Sequence, residues 1–379
     1  MKRSLALAWV VVVVVSYEAS SCAPKEFPSG SQVTSVRILA SSADPPYATP
    51  GSPVRVRVLA FDGRANKTQP MNLSWLPFVC KDPPNDAYYA CFQQFAAGGG
   101  RVDGSPGGSA GSALADGGTA RGGVALVSEC NATGLPDAGA LSALAPGVDL
   151  TPLLAQGDCV DFVMPADAIT AHTSAPAPPV PYGLAILFNI ACAGHLELVP
   201  RDPDNVQSPP IACFDAQHNR LGPDDYVLGF TRVFAYGTLE NTNPTIDHVE
   251  VRGQPVDLDP DAAADAGFDI DHCPAGSRCE QVPIGPVVPA SSQEPNPLVH
   301  DVKGNELKEQ IWAEFFSTLG SFTSDSRLLY DPAMGSVGTP ADTDSKFEAP
   351  DHAGDGTIWI IVHDNRSGAT WTTVPVHVR

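Results

Sequence analysis

The sequence predicts an all-β protein with two domains, and three observations support this prediction. Its 379 residues include 37 prolines and 34 glycines but only 15 phenylalanines, a composition typical of many short strands joined by turns. The chain is long enough for two domains, and its 43% hydrophobic content can fill two cores. Its apolar segments alternate with the period of two that marks half-buried strands.

The charge of the chain restricts its partners. The formal net charge is −21. A surface this acidic repels nucleic-acid phosphates, so we expect no nucleic-acid partner.

The first predicted domain covers residues 33–240. Residues 53–63, PVRVRVLAFDG, alternate between valines and arginines and end in an Asp-Gly turn signal, which indicates a strand. The next apolar run is centred on Trp75. Two further apolar runs of strand length, at residues 181–194 and 224–237, complete this part of the sheet pattern.

A long insertion interrupts the first domain at about residues 96–123. This stretch is rich in glycine, serine and alanine and cannot bury enough apolar surface to offset the entropy of ordering, so we expect a mobile loop. Within it, residues 107–111 satisfy the G-x-S-x-G pattern. A nucleophile elbow needs a strand before the serine and a helix after it, which these flanks do not offer, so Ser109 is not assigned as a nucleophile.

The second predicted domain covers residues 244–379. It ends in two apolar segments, residues 356–365 and 370–378, joined by a turn. Because Pro375 cannot donate a ladder hydrogen bond, the last segment is predicted to be an edge strand. Residues 306–320 fit two patterns, since their apolar side chains have helical spacing and their aromatic side chains also suit a buried strand.

The amino terminus has the pattern of an export signal. Lys2 and Arg3 precede an apolar block at residues 5–15, and small or polar residues follow it. A membrane-spanning helix needs roughly 20 apolar residues, so this block is too short to remain as an anchor. We therefore predict that residues 1–21 form a signal peptide.

The residues around Cys22 carry a more specific signal. The small residues 19–21 before Cys22 resemble the lipobox of bacterial lipoproteins, although Ala19 stands where that family usually has leucine. The resemblance implies cleavage before Cys22, a lipid anchor on its sulfur and a tether at residues 22–32. In such lipoproteins an aspartate after the cysteine retains the protein at the inner membrane, so Ala23 at this position implies, by the same resemblance, the outer membrane. The alternative is ordinary secretion with Cys22 in a disulfide.

The cysteine count favours a lipid on Cys22 over a disulfide. The chain has nine cysteines, and an odd number would leave one free thiol in an exported protein. Setting Cys22 aside leaves an even set, which export to an oxidising compartment would allow to form disulfides. Sequence neighbours suggest local pairs, although other connectivities remain open: Cys80 with Cys91, Cys130 with Cys159, Cys192 with Cys213, and Cys273 with Cys279. There is no C-x-x-C pair to suggest a structural zinc site.

Both ends of the folded part resemble a known domain type. Residues 50–63 followed by the strand bearing Trp75 resemble the opening strands of immunoglobulin-like and PKD-like domains, and residues 347–378 resemble their closing strands. The layout as a whole is similar to that of uncharacterised bacterial cell-envelope lipoproteins with Ig-like modules. The resemblance implies two Ig-like β-sandwich domains, with Trp75 and Trp312 as their core tryptophans and a strand at residues 313–317. It carries over no catalytic residues.

An acidic loop at residues 257–271 is the best candidate for a metal site. It holds Asp257, Asp259, Asp261 and Asp265, and calcium prefers six to eight oxygen ligands in a flexible loop. An EF-hand is excluded because its glycine and glutamate positions hold other residues. The alternative is a solvated acidic loop, and we assign no metal ligand or cofactor from the sequence.

Two further patterns have both a functional and a structural interpretation. Trp359 and Trp371 would stack on sugars if they lay exposed and side by side; otherwise they fill a core. Residues 363–368, HDNRSG, bring His363 next to charged residues, but a hairpin turn with Asn365 and Gly368 at positive φ accounts for the pattern.

The sequence thus predicts a lipid-anchored cell-envelope protein that acts as a structural or recognition module without catalysis. Its expected partners are the membrane, through the lipid on Cys22, and an envelope protein or a glycan. The alternatives are a carbohydrate- or calcium-binding surface module and an enzyme without a recognisable motif.

Overall fold

The computed structural model describes residues 29–92, 144–171, 180–200, 208–256, 267–274, 276–337 and 340–379. The predicted signal peptide, Cys22, the glycine-rich insertion with Ser109, and the four aspartates Asp257, Asp259, Asp261 and Asp265 lie outside these residues.

The first sandwich consists of two sheets, with strand orders β1-β3-β6 and β2-β10-β7-β4-β5, and a hairpin β8-β9. Two 3₁₀ turns, Pro84–Asp86 and Thr151–Leu153, and the short helix α1 (Ala168–Ala171) connect them. The strands are β1 (Val36–Asp44), β2 (Tyr47–Ala48), β3 (Pro53–Asp62), β4 (Asn72–Lys81), β5 (Ala155–Gln156), β6 (Cys159–Val163), β7 (Tyr182–Cys192), β8 (His195–Leu198), β9 (Ile211–Phe214) and β10 (Tyr226–Tyr236).

The core of the first sandwich lies between its two sheets. Val54, Val56 and Val58 of β3 are buried, as their alternation with arginine predicts, and they belong to the same cluster as Trp75 of β4. The Trp75 indole N–H donates to the Gly157 carbonyl at 2.9 Å, so this fully buried side chain also satisfies its polar atom. Trp75 is thus a core tryptophan, as predicted.

The second sandwich also has two sheets, with strand orders β12-β11-β14-β21-β18 and β13-β23-β22-β17-β19-β20, and a hairpin β15-β16. A 3₁₀ turn, Ala290–Ser292, and the short helix α2 (Pro340–Thr343) lie between strands. The strands are β11 (His248–Val251), β12 (Gln254–Val256), β13 (Phe268–Ile270), β14 (Gln281–Val287), β15 (Pro295–His300), β16 (Glu306–Lys308), β17 (Ile311–Ser317), β18 (Ser321–Phe322), β19 (Ser326–Asp331), β20 (Gly335–Ser336), β21 (Ser345–Glu348), β22 (Gly354–Asp364) and β23 (Ala369–Val378).

The all-β, tandem-sandwich prediction is confirmed by these four facing sheets. The ambiguous segment 306–320 forms strands β16 and β17. Alternate residues of β17 are buried, with Ile311, Ala313 and Phe315 on the core side. The prediction that Trp312 is a core tryptophan is wrong, because the period of two places it on the opposite face, where its ring stacks on His363 with centroids 5.2 Å apart.

The prediction that the last strand lies at a sheet edge is also wrong. Strand β23 pairs with β22 on one side, and the three-residue strand β13 pairs in parallel with residues 376–378 on the other. This second pairing begins just after Pro375, so the missing N–H does not interrupt it. Gly267 makes the close approach possible, because it has φ +101° and a Cβ there would lie 2.2 Å from the Pro375 carbonyl oxygen.

Disulfides join segments within each sandwich. The structure links Cys80 to Cys91, Cys192 to Cys213 and Cys273 to Cys279, which are three of the neighbour pairs that the sequence suggested. Cys159 is disulfide-bonded too, whereas its predicted partner Cys130 lies outside the described residues.

Candidate functional site

The site with the most unusual chemistry is the junction between the two sandwiches. Its apolar part is a cluster that joins β1 and β3 of the first sandwich to β22 of the second. The rings of Phe61 and Trp359 lie with centroids 4.6 Å apart, and Trp359 is only 4% exposed. The proposed sugar platform of Trp359 and Trp371 is therefore ruled out, because Trp359 is covered by the first sandwich.

The chain that enters the first sandwich is itself part of this junction. The N–H of Ser317 in β17 donates to the Ser31 carbonyl at 2.8 Å, and the N–H of Val33 donates to the Ser317 carbonyl at 2.9 Å. Gln32 thus forms a parallel bridge to the second sandwich before the chain reaches β1. The end of the predicted tether is fixed by backbone hydrogen bonds rather than hanging free.

Two asparagines hold the segment between β10 and β11 in place. The side-chain amide of Asn243 donates to the Ala43 carbonyl at 2.8 Å, and its oxygen accepts the N–H of Ala369 at 2.9 Å, so one side chain bridges both sandwiches. The amide of Asn241 donates to the carboxylate of Asp364 at 3.2 Å and to the Arg366 carbonyl at 3.1 Å. These bonds satisfy polar groups that the junction buries.

Arg366 lies at the centre of the polar part of the junction, with a side chain only 3% exposed. Its guanidinium donates to Glu309 at 2.9 Å and to the Pro295 carbonyl at 3.0 Å in the second sandwich, and to the Glu240 carbonyl at the end of the first. The same group lies 4.9 Å from the centre of the Tyr47 ring, which is a cation–π distance. Arg366 therefore binds both sandwiches at once.

A hairpin turn between β22 and β23 places Arg366 there. Asp364 accepts the N–H groups of Arg366 at 2.7 Å and Gly368 at 2.8 Å. The predicted turn exists, but Ser367 rather than Asn365 or Gly368 has the positive φ, at 76°. Gly368 is needed for space instead, because a Cβ would lie 2.1 Å from the Asp364 carboxylate.

Burial shifts the acidic groups of the junction towards their neutral forms. Glu309 is fully buried, and its pKa is raised to about 7, chiefly by loss of solvation and then by the nearby Asp364 carboxylate. Burial raises the pKa of Asp364 as well, against the opposing N–H donors of Gly368 and Arg366. Burial likewise raises the pKa of Tyr47. A proton on Glu309 would weaken its ion pair with Arg366.

His363 does not join these groups. Its ring faces the other side of the strand, where it stacks on Trp312 and lies 3.3 Å from the Glu314 carboxylate. The acid–base interpretation of residues 363–368 therefore lacks the geometry it needs, because Asp364 points into the junction. Trp312 and His363 line one side of a shallow groove of about 420 Å³ between the sandwiches, opposite Phe230 and Arg232.

The sequence did not identify Arg366 or Glu309 as site residues. Their side chains meet across 57 positions of the chain, and no local pattern marks such a distant pair. The signal that was present is the hairpin turn at residues 363–368, which contains Arg366.

The chain matches no protein-family model and no curated protein. It is similar to the solved D00-D0 domain of intimin, with 8% identity and a TM-score of 0.19 over 89% of this chain and 99% of that chain. It is also similar to the C-terminal domain of the Streptococcus pyogenes antigen I/II-family protein AspA, with 9% identity and a TM-score of 0.16 over 90% of this chain and 100% of that chain.

A third similarity is to dimeric latent PorU from Porphyromonas gingivalis, with 10% identity and a TM-score of 0.18 over 92% of this chain. This chain spans about a quarter of that one, since the match covers 24% of PorU. TM-scores this low support no conclusion about activity, ligand or partner. None of the helices in the described parts of the chain has the length and apolarity needed to cross a bilayer.

Proposed function

We propose that this protein is a lipid-anchored module of the bacterial cell envelope that has a structural or recognition role and no catalytic activity. The observation that carries the proposal is the docking of residues 31–33 on Ser317, which ties the chain leaving Cys22 to the junction of the two sandwiches. Six residues lie between Cys22 and Ser29 in the printed sequence, and the seven Cα–Cα steps that join them reach at most about 25 Å. The lipid on Cys22 would hold both sandwiches close to the membrane surface.

Two further features support this role. The disulfides suit a protein exported to an oxidising compartment. The junction carboxylates whose pKa values are raised, Glu309 and Asp364, are buried against Arg366 and backbone N–H groups, and Arg366 also donates to the Glu240 carbonyl at the end of the first sandwich. Such an arrangement favours a stiff body that presents a surface over one that processes a substrate.

The test is the mass and location of the protein in the envelope. Intact-mass analysis of the membrane fraction is expected to show a chain that begins at Cys22 and carries acyl groups. Cys22→Ser is expected to move the protein out of the membrane fraction, whereas Ser21→Ala, which keeps a small residue before the cysteine, is expected to leave it there. An unacylated Cys22, or wild-type protein found almost entirely in the culture supernatant, would refute the anchor.

The side of the envelope is a separate part of the proposal. Ala23 follows Cys22, and we propose the outer membrane as the site of anchoring. Separation of inner and outer membranes on a density gradient should place the acylated protein in the outer-membrane fraction.

A second candidate function is glycan recognition in the groove between the sandwiches. The groove combines the aromatic side chains of Trp312 and Phe230 with polar groups of Ser41, His363 and Asn365, a mixture that suits the apolar faces and hydroxyls of sugars. A glycan array with wild type and Trp312→Ala tests this. Binding that is lost in Trp312→Ala supports it, and an array without signal for the wild type rejects it.

A further inference from the structure

Two histidines and a glutamate meet on the first sandwich, away from the junction. His195 and Glu197 lie two residues apart on β8, so their side chains share one face of the strand, while Leu196 between them enters the core. His218 belongs to the turn that follows β9. Nitrogen atoms of His195 and His218 lie 2.7 and 2.9 Å from the same oxygen of Glu197.

We propose that His195, Glu197 and His218 form a binding site for a divalent transition-metal ion of the zinc type. Their three ligand atoms all lie within 4.8 Å of one another. Two imidazole nitrogens and one carboxylate oxygen are the donor set of open zinc sites, in which a water molecule or another ligand completes a tetrahedron. Calcium and magnesium, which prefer oxygen ligands, fit this set poorly.

The backbone holds the two strand ligands firmly. The disulfide between Cys192 and Cys213 joins the end of β7 to β9 and closes the loop that contains His195 and Glu197. On its other side β8 pairs with the segment before the Thr151 turn, since the N–H of Leu150 donates to the Leu196 carbonyl at 2.7 Å. Ligands held on a paired strand lose little freedom when they bind an ion.

A tight turn brings the third ligand over the first two. The carboxylate of Asp215 accepts the N–H groups of Gln217 and Asn219, both at 2.8 Å, and closes residues 215–219 into a loop. His218 adopts φ +58° in this loop. The loop, which is also closed by an antiparallel bridge between Phe214 and Arg220, thus directs the His218 side chain back towards Glu197.

The burial of Glu197 is the second observation that points to a cation. Its side chain is only 8% exposed, and among the described residues its ion-pair partners are two histidines, which carry a charge only when protonated, rather than a lysine or arginine. A buried carboxylate needs a compensating positive charge. A divalent ion at the meeting point of the three side chains supplies that charge and uses all three donors.

Ion binding requires only a small movement. Zinc binds nitrogen and oxygen at about 2.0–2.2 Å, so ligand atoms of a tetrahedral site lie about 3.4 Å apart. The distances from the His195 and His218 nitrogens to the Glu197 oxygen, now 2.7 and 2.9 Å, would therefore have to increase by about 0.7 and 0.5 Å. His218 can move for its own pair, because its side chain is 73% exposed, whereas the pair on β8 would widen by rotation of the partly exposed His195 ring.

The test is a zinc titration of the full-length protein, purified without a histidine tag and stripped with a chelator. Calorimetry is expected to show that the wild type binds one zinc ion per chain. In His218→Ala and in Glu197→Gln this binding should be lost, or weakened at least about tenfold. Cobalt(II) should give the visible absorption of a tetrahedral complex with wild type only. Calcium and magnesium should give no saturable signal at this site.

His377→Ala is the matched control. His377 lies 2.7 Å from Asp355 in a pair with only one histidine, so its loss should leave zinc binding unchanged. His218→Ala is expected to fold normally because the side chain is exposed. If Glu197→Gln is unstable, the zinc affinity of His218→Ala alone tests the proposal. Equal zinc affinity in wild type and His218→Ala, or a wild type that shows no saturable zinc binding, overturns the proposal.

Discussion

Replacing Arg366 by methionine tests how much the buried polar part of the junction contributes to the stability of the protein. The substitution keeps an apolar stem but removes the ion pair to Glu309 at 2.9 Å and the hydrogen bonds to the Pro295 and Glu240 carbonyls. It also leaves a fully buried carboxylate next to a second one, Asp364. Loss of one partner from a buried pair costs about 3–5 kcal/mol, and we expect R366M to lower the free energy of unfolding by that amount at pH 7.

The assay is urea unfolding followed by tryptophan fluorescence, for which Trp359 lies inside the junction. An exposed pair provides the control: Arg252 and Glu280 lie 2.9 Å apart with side chains 40% and 54% exposed. R252M should change stability by no more than about 1 kcal/mol. In the double variant R366M/E309M no charge is left in the pair, and we expect it to recover about 2 kcal/mol relative to R366M.

The pH dependence of this loss sharpens the test. Because protonation removes the charge from Glu309, the cost of R366M should be smaller at pH 5 than at pH 8. The reasoning would be refuted if R366M cost no more than R252M, or if R366M/E309M were as unstable as R366M. Either result would mean that Glu309 is neutral or solvated despite its burial.

Three other predictions concern single features of the fold. The pKa of Glu309 is raised from an ordinary 4.5 to about 7, so between these pH values the folded protein binds a proton that the unfolded chain does not. Lowering the pH from 7.5 to 4.5 should therefore raise the free energy of unfolding of wild type relative to that of E309Q by at most about 3 kcal/mol, measured in a denaturant series. The Cys192–Cys213 disulfide joins cysteines 21 positions apart, and its removal in C192A/C213A should lower the free energy of unfolding by about 3 kcal/mol and weaken zinc binding. A variant as stable as wild type would contradict this. W75A should lose about 3–5 kcal/mol in thermal or urea unfolding, whereas W312A should lose about 1 kcal/mol; equal losses would mean that Trp312 is a core residue after all.

The fold could be predicted from the sequence where local pattern and burial agree. Val54, Val56 and Val58 alternate with polar residues because β3 has one face in the core, and that relation needs no distant information. The segment of β17 was ambiguous for a definite reason. Its apolar residues Ile311 and Phe315 are four positions apart, a spacing that fits both one turn of a helix and two periods of a strand. Only the pairing of β17 with β22 and β19 decides between them.

The junction could not be predicted in the same way, because the burial of its residues depends on contacts with residues that are far away in the sequence. Trp312 and Trp359 are both large aromatic residues on central strands, yet Trp359 is covered by the first sandwich while Trp312 faces the groove. The face on which each lies follows from the period of two, but which outer face is covered depends on how the two domains dock. That docking rests on Arg366 and Asn243, which hydrogen-bond to residues 126 and 200 positions away.

The metal-ligand cluster falls between these two cases, because one prediction already contained the information needed to find it. A disulfide between Cys192 and Cys213 brings the residues just after Cys192 close to those just after Cys213. His195 and Glu197 share a face in the first segment, and His218 follows in the second. The predicted pairing of neighbouring cysteines therefore placed the two segments near one another, although the loop closed by Asp215 is what directs His218 to Glu197. Cysteines predicted to pair should accordingly be searched for histidine and carboxylate residues on both flanks, since the bridge joins segments that a search for fixed spacings treats as separate.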